Sequence, residues 1–362
     1  MSLERVRAGA TLARWLGPWA GTAVPRGVSR EVVPLPSPSG TTKAYVYRAG
    51  RPKGVYLVLQ GLHFLGPDDP RLDRFCRVLA QAGFLVVAPF IRAFGDLMLA
   101  TSAFDDARAA LAYANARGRD LGLGAPAVFS ISFGSSLALD IATIEDGGPR
   151  SVLVFGGFCE FLPTVRFAVT GRADEEPDAP AFPRDPLNSP AVFLNALFAL
   201  DVPGDRDALA NAWREMVYRT WGKMELKAPG ARDPYAHAIA NELAPELRSP
   251  FLRGCMLEDG ALEWLEDALA RRSGDLAFFD PGERLAKVRS PIVLVHGRDD
   301  DVIPYFETLK LARALPKEAL AGVHLTGMFG HTGAQAPSPR AIFEEAKTMI
   351  GMLSAMASGP TR

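Results

Sequence analysis

A serine flanked by small residues, where a strand turns sharply into a helix, can be held out of the turn as an exposed nucleophile. Ser130-Ile131-Ser132-Phe133-Gly134 has that form. The apolar run Ala127-Val128-Phe129 leads into it, and Ser135-Ser136-Leu137-Ala138-Leu139 follows with the character of a buried helix. A hydroxyl is a weak nucleophile at neutral pH and needs an adjacent base, itself oriented by a third group. The same pentapeptide also suits an ordinary strand-to-helix turn, so the partners decide.

Two distant segments offer partners. Pro291 to His296 is a continuous apolar run that passes through Gly297-Arg298 into Asp299-Asp300-Asp301 and then Val302-Ile303-Pro304. Three adjacent aspartates alone also suit a solvated turn or a cation loop, but no further carboxylates follow at EF-hand spacing. Gly330-His331-Thr332-Gly333 comes after a short predicted strand, Gly322 to Leu325. The other histidines of this half have structural readings: His296 closes a strand, His324 lies within one, and His237 sits in a helical stretch.

Elements that could position these groups are visible in the hydropathy pattern. Gly54 to Gln60, Phe84 to Pro89, Ala127 to Ser130, Ser151 to Gly156 and Pro291 to His296 read as strands. They are continuous Val/Ile/Leu-rich runs, which marks strands covered on both faces, hence a parallel sheet. Between them Leu72 to Ala82 and the Ala-rich stretch Asp105 to Ala116 have helical spacing. Asp280-Pro281-Gly282-Glu283 reads as a helix start. Residues 160–285 carry no strand signal; Ala173 to Pro190 is rich in Pro and acidic residues, and Leu209, Trp213, Met216, Val217 and Trp221 form an apolar helical stripe.

Taken together these segments resemble the α/β-hydrolase superfamily. The quoted motifs are the small-x-Ser-x-Gly elbow, Gly297 to Pro304 as G-x-x-D-x-x-[VI]-P, and the His331 loop, in the chain order Ser132, Asp300, His331. The likeness runs from about Lys43 to the last helix, excluding residues 160–285. It implies that Asp300, rather than Asp299 or Asp301, is the acid and that His331 is the base. It also implies an oxyanion hole made by the backbone N–H groups of Leu62, in Gln60-Gly61-Leu62-His63, and of Phe133. Gln60 stands where His is usual, and Glu160 where some members keep their acid. Gly66 to Leu72, with Gly156-Gly157-Phe158 and Val169-Thr170-Gly171, is similar to an uncharacterised bacterial subgroup.

The expected fold is α/β, a mostly parallel doubly wound sheet of the α/β-hydrolase type with an inserted helical cap. Residues 1–25 would be an N-terminal helical segment, 26–159 with 286–362 the hydrolase core, and 160–285 the cap. Leu12, Trp15, Leu16 and Trp19 share one helical face. That face suits docking on the domain, or a membrane-surface or partner contact.

Bulk properties narrow the chemistry. With 40 Lys+Arg against 41 Asp+Glu there is no basic excess for nucleic-acid binding. Three scattered cysteines and five scattered histidines lack disulfide-framework or metal-ligand spacing, so neither a metal nor a cofactor is expected, and the sparse thiols suit a reducing, cytoplasmic setting. Gly61 to Gly66 is no phosphate loop, since Pro67-Asp68 replaces the required Lys-Ser/Thr. The expected activity is hydrolysis of a small carboxylic ester or related acyl compound through an acyl-enzyme. An acyltransferase on the same triad and a non-catalytic ligand-binding member of the fold are the alternatives.

Overall fold

The computed structural model describes residues 3–16, 23–173, 175–176, 181–182, 184–327 and 350–358. After α1 (Leu3–Leu16) come β1 (Ser29–Leu35), β2 (Thr42–Arg48), β3 (Val55–Leu59), α2 (Pro70–Gln81) and β4 (Leu85–Pro89). There follow α3 (Arg92–Gly95), α4 (Ser102–Asp120), β5 (Ala127–Ile131), α5 (Gly134–Ile141) and β6 (Ser151–Phe155). Next, among the described residues, come only helices and 3-10 turns: α6 (Phe161–Thr170), α7 (Ser189–Ala196), α8 (Arg206–Thr220), α9 (Asp233–Glu242), α10 (Pro245–Gly254) and α11 (Ala261–Arg272). The chain then returns as β7 (Ile292–Gly297), α12 (Tyr305–Ala314) and β8 (Leu320–Thr326).

The eight strands form one sheet in the order β1-β2-β4-β3-β5-β6-β7-β8. The β1–β2 and β2–β4 pairs are antiparallel, and all pairs from β4 to β8 are parallel. Successive strand residues point to opposite faces. Val55, Leu57 and Leu59 therefore join one apolar cluster with α4 and α5, while Tyr56 and Val58 join another with α1 and α2. Both faces are covered, which is why the strands read as unbroken apolar runs.

On the second face Leu12 of α1 is completely buried, consistent with the helix docking on the domain; Trp19 lies outside the described residues. The Tyr56 hydroxyl donates to Met356 O at 2.5 Å and ties the helical segment 350–358 to the same face.

The helices between β6 and β7 have an apolar cluster of their own, centred on Trp213, Phe193 and Phe251. Gly254 is a contact point within it: a Cβ there would lie 2.2 Å from Trp213 Nε1. A buried amide joins these helices to the sheet. Asn195 of α7 donates to Leu97 O at 2.8 Å and accepts from Leu99 N at 2.7 Å. Among the described residues no helix is long and apolar enough to cross a membrane.

Candidate active site

Ser132 closes β5 and turns the chain into α5. Its φ is +51°, in the left-handed region that a side chain adopts at a cost of about 1–3 kcal/mol. Neighbouring backbone holds it there. Ser132 N donates to Phe155 O of β6 at 2.9 Å, and Ser132 O accepts from Ser135 N at 2.9 Å. Two glycines let β3 approach. A Cβ on Gly134 would lie 2.3 Å from Gln60 O, and one on Gly61 would lie 3.2 Å from the Ser132 Cβ. Gly134, the last residue of the pentapeptide, thus has a steric cause. Phe133 caps α5, and its ring packs against Phe158, Phe161 and Phe279 with centroids 5.5–6.3 Å away.

Asp300 lies beyond β7. Its Oδ1 accepts from Val302 N and Ile303 N, each at 2.9 Å, which fixes the carboxylate within its own loop. Oδ2 reaches toward the end of β6: a Cβ on Gly156 would meet it at 3.4 Å. Gly156 follows Phe155, whose carbonyl holds the Ser132 turn, so the serine and this carboxylate flank one strand end. Asp301 is committed differently, pairing with Lys227 at 3.1 Å. Glu160 carries a half-exposed carboxylate paired with Lys310, which also pairs with Glu175 and Glu307 at 2.8 Å.

His331 lies outside the described residues. The described histidines are placed as follows. His296 is fully buried with both nitrogens occupied, Nδ1 at 2.6 Å from Thr308 Oγ1 and Nε2 at 2.9 Å from Ile303 O. Because a carbonyl only accepts, Nε2 carries the proton and Nδ1 takes the threonine hydroxyl. His324 on β8 packs against Gly351, where a Cβ would sit 2.5 Å from the ring, and its burial lowers its pKa. His237 is exposed on α9.

Ser132, Leu62 and Phe133 all line a cavity of about 440 Å³. Its walls include Phe161, Val165, Val192 and Leu276, contributed by the helical region. Two polar groupings that sequence reading missed also line it. In one, Asp69 binds Arg71 at 2.8 Å and lies 3.6 Å from His63 Nε2. Burial raises the Asp69 pKa, but Arg71 and His63 outweigh it and hold it below the usual carboxylate range. In the other, Lys227 bridges Asp185 at 2.8 Å and Asp301 at 3.1 Å. Burial pulls Lys227 down, yet the two carboxylates hold it above the ordinary lysine value. His63 itself stacks on Phe64 at 4.8 Å and lies 5.5 Å from Trp221. Of the stripe on α8, Trp213 is interior and Trp221, just past the helix end, faces the cavity.

No family model matches the chain, and no curated protein matches it in sequence. Among solved structures it is similar to an esterase from Pyrobaculum calidifontis, with 16% identity over 99% of this chain and 94% of the other and a TM-score of 0.46. It is also similar to brefeldin A esterase, a bacterial homologue of human hormone-sensitive lipase (15% identity, 98% and 85% covered, TM-score 0.49). A third likeness is to puromycin hydrolase, of which the match spans 39% against 92% of this chain, with 14% identity and a TM-score of 0.48. With its eight-stranded, mostly parallel sheet, helices on both faces and a strained serine turn after β5, the chain has the α/β-hydrolase fold.

Proposed function

We propose that the protein is a serine hydrolase of small carboxylic esters, with residues 160–285 as a helical cap over the site. The observation that carries this reading is Ser132, held at positive φ at the edge of an apolar cavity beside Leu62 and Phe133. Ser132 Oγ attacks the acyl carbonyl while His331 takes its proton. Asp300 holds the imidazole in the productive tautomer and stabilises the imidazolium. The Leu62 and Phe133 N–H groups receive the charge of the tetrahedral intermediate. His331 then protonates the leaving alcohol, and water activated by the same base releases the acid.

Three features support this assignment of partners. Asp300 is fixed by two backbone N–H groups beside the strand end that holds Ser132, with its Oδ2 3.5 Å from the buried His296 Nε2, whereas Asp301 and Glu160 are paired with lysines. None of His237, His296 and His324 lines the cavity, and His63 Nδ1 accepts from Leu65 N at 3.2 Å. In sequence His331 follows β8, the strand that pairs with β7. The cavity's apolar walls favour a compact apolar acyl group.

Labelling with a fluorophosphonate tests the activated serine without a guessed substrate. The parent should label at Ser132 and hydrolyse short p-nitrophenyl esters, and S132A should do neither. Labelling of S132A equal to the parent's overturns the assignment. Product analysis with an added alcohol separates hydrolysis from acyl transfer.

A further inference from the structure

Two cavities flank one helix of the cap. Helix α6 turns Phe161, Val165 and Ala168 to the Ser132 cavity, the spacing of one helical face. The adjoining flank, Leu162, Arg166 and Val169, borders a second cavity of about 210 Å³. The far wall of this second cavity is α11, through Leu262, Leu265 and Leu269. Among the described residues Leu269 alone lines both cavities. It is partly buried and packs against both the apolar cluster of the sheet domain and that of the cap helices. The second cavity's wall is otherwise apolar except for Arg166 and Glu266, which pair with each other at 3.3 Å with about half of each side chain exposed. An exposed pair of this kind contributes about 0–1 kcal/mol and is easily parted.

We infer that Leu269 is the partition that sets how long an acyl chain the enzyme accepts. The inference rests on the esterase reading and deepens it. An acyl chain attached at Ser132 extends through the first cavity and meets Leu269. Short and medium straight chains fit in front of it, and longer ones need the second cavity behind it. The substrate class is thus an ester of a fatty acyl group, because Leu269 stands between the apolar α6 face of Phe161, Val165 and Ala168 in the first cavity and the leucines around the second. Each methylene that gains an apolar wall adds about fourfold to binding or turnover. A partition therefore appears as a break in an otherwise rising chain-length series.

The test is a p-nitrophenyl ester series from butanoyl to hexadecanoyl, run on the parent, L269A and L269F. In the parent kcat/KM should rise with chain length and then fall. The break should move to longer chains in L269A and to shorter ones in L269F, changing the long-to-short ratio at least about tenfold between the variants, the scale of two or three methylenes. The opposite directions of the two variants separate a partition from general damage, since unfolding lowers every chain length alike. Equal factors at all lengths, or a break that stays in place in both variants, overturn the inference. Titrating saturated fatty acids against tryptophan fluorescence, with Trp221 on the cavity wall, reads the same break without catalysis. A parent that neither labels with fluorophosphonate nor hydrolyses any ester sinks the hydrolase reading, and the fatty-acid titration still decides the partition.

Discussion

The floor and the roof of the cavity are built by different means. At the floor, position is set by backbone: a positive φ at Ser132, strand-end hydrogen bonds, Gly134, where a Cβ would meet the Gln60 carbonyl at 2.3 Å, and Gly61, which packs closely on Ser132. At the roof, position is set by side chains from distant parts of the chain, such as Asn195 on the Leu97–Leu99 loop and Lys227 between Asp185 and Asp301. A floor made of backbone has one geometry and tolerates little change. A roof made of side chains can be recut while the floor stays intact. Floor substitutions should therefore abolish turnover outright, and roof substitutions should shift substrate preference or stability.

The largest expected effect is at Ser132. S132A should reduce esterase turnover by about 10⁵-fold or more, as removal of a nucleophile does. S132G should be equally inactive but more stable, because glycine adopts a φ of +51° without the cost a side chain incurs. The gain should be about 1 kcal/mol in denaturant unfolding. If S132G is no more stable than S132A, the turn is not strained as described. Next comes Asp300. D300N should lower kcat by about 10⁴-fold by favouring the wrong imidazole tautomer. D301N and E160Q should each cost far less, and E160Q matching D300N would transfer the acid to Glu160.

Gly134 tests the sterics of the floor. G134A would place a methyl 2.3 Å from the Gln60 carbonyl, so β3 and α5 must separate. A destabilisation of about 1–3 kcal/mol is expected, the range for overpacking, together with loss of fluorophosphonate labelling. On the roof, K227M should raise KM by about tenfold or less with little change in kcat. It leaves Asp185 and Asp301 facing each other without their shared cation and loosens the contact between the helical region and the Asp300 loop. A large loss of kcat with unchanged KM would instead mean that Lys227 acts on the reacting atoms.

The same contrast explains what was legible in the sequence. β3 to β7 and the turn at Ser132 could be read because continuous apolar runs and local small-residue patterns are sequence-local signals; Asp300 was singled out from its neighbours only through the resemblance of its loop. The β1–β2 hairpin was missed. Five of the seven β1 residues are exposed or nearly so, since β1 lies at the sheet edge, and no apolar period survives there. The expected helix start at Asp280 is not formed: the segment Gly282–Lys287 is a 3-10 turn capped by Pro281, and Asp280, which ends the preceding 3-10 segment, accepts from Gly282 N at 3.1 Å. The two polar groupings on the cavity wall had no usable signal. Lys227, Asp185 and Asp301 are far apart in the chain and meet only through the fold. His63 was noted only for its loop; its stacking on Phe64 and its approach to Trp221 depend on where α8 ends.

The smallest predicted effect concerns His63, where floor and roof touch. Burial against Phe64 and Trp221 lowers its pKa from the usual 6.5; Asp69 opposes the shift, and the nearby Arg71 adds to it. The native ring is therefore neutral, with Nδ1 accepting from Leu65 N and the proton on Nε2. Above pH 6.5 the ring is neutral in both folded and unfolded chains, so its titration contributes nothing to stability. As the pH falls below 6.5 the unfolded chain binds a proton that the folded one resists, and stability drops until the lowered folded pKa is passed. His324, also lowered by burial, acts with the same sign in the same window, so the parent alone cannot identify the residue. H63Q keeps His324 and removes the His63 contribution. At pH 7.5 H63Q should be the less stable protein, having lost the ring stacking. Between pH 6.5 and 5, above the range where Asp69 titrates, the gap in Tm between parent and H63Q should narrow. Parallel Tm curves over that interval would show that His63 titrates as freely in the folded protein as in the unfolded chain, and that the floor-to-roof contact at Trp221 does not keep water from the ring.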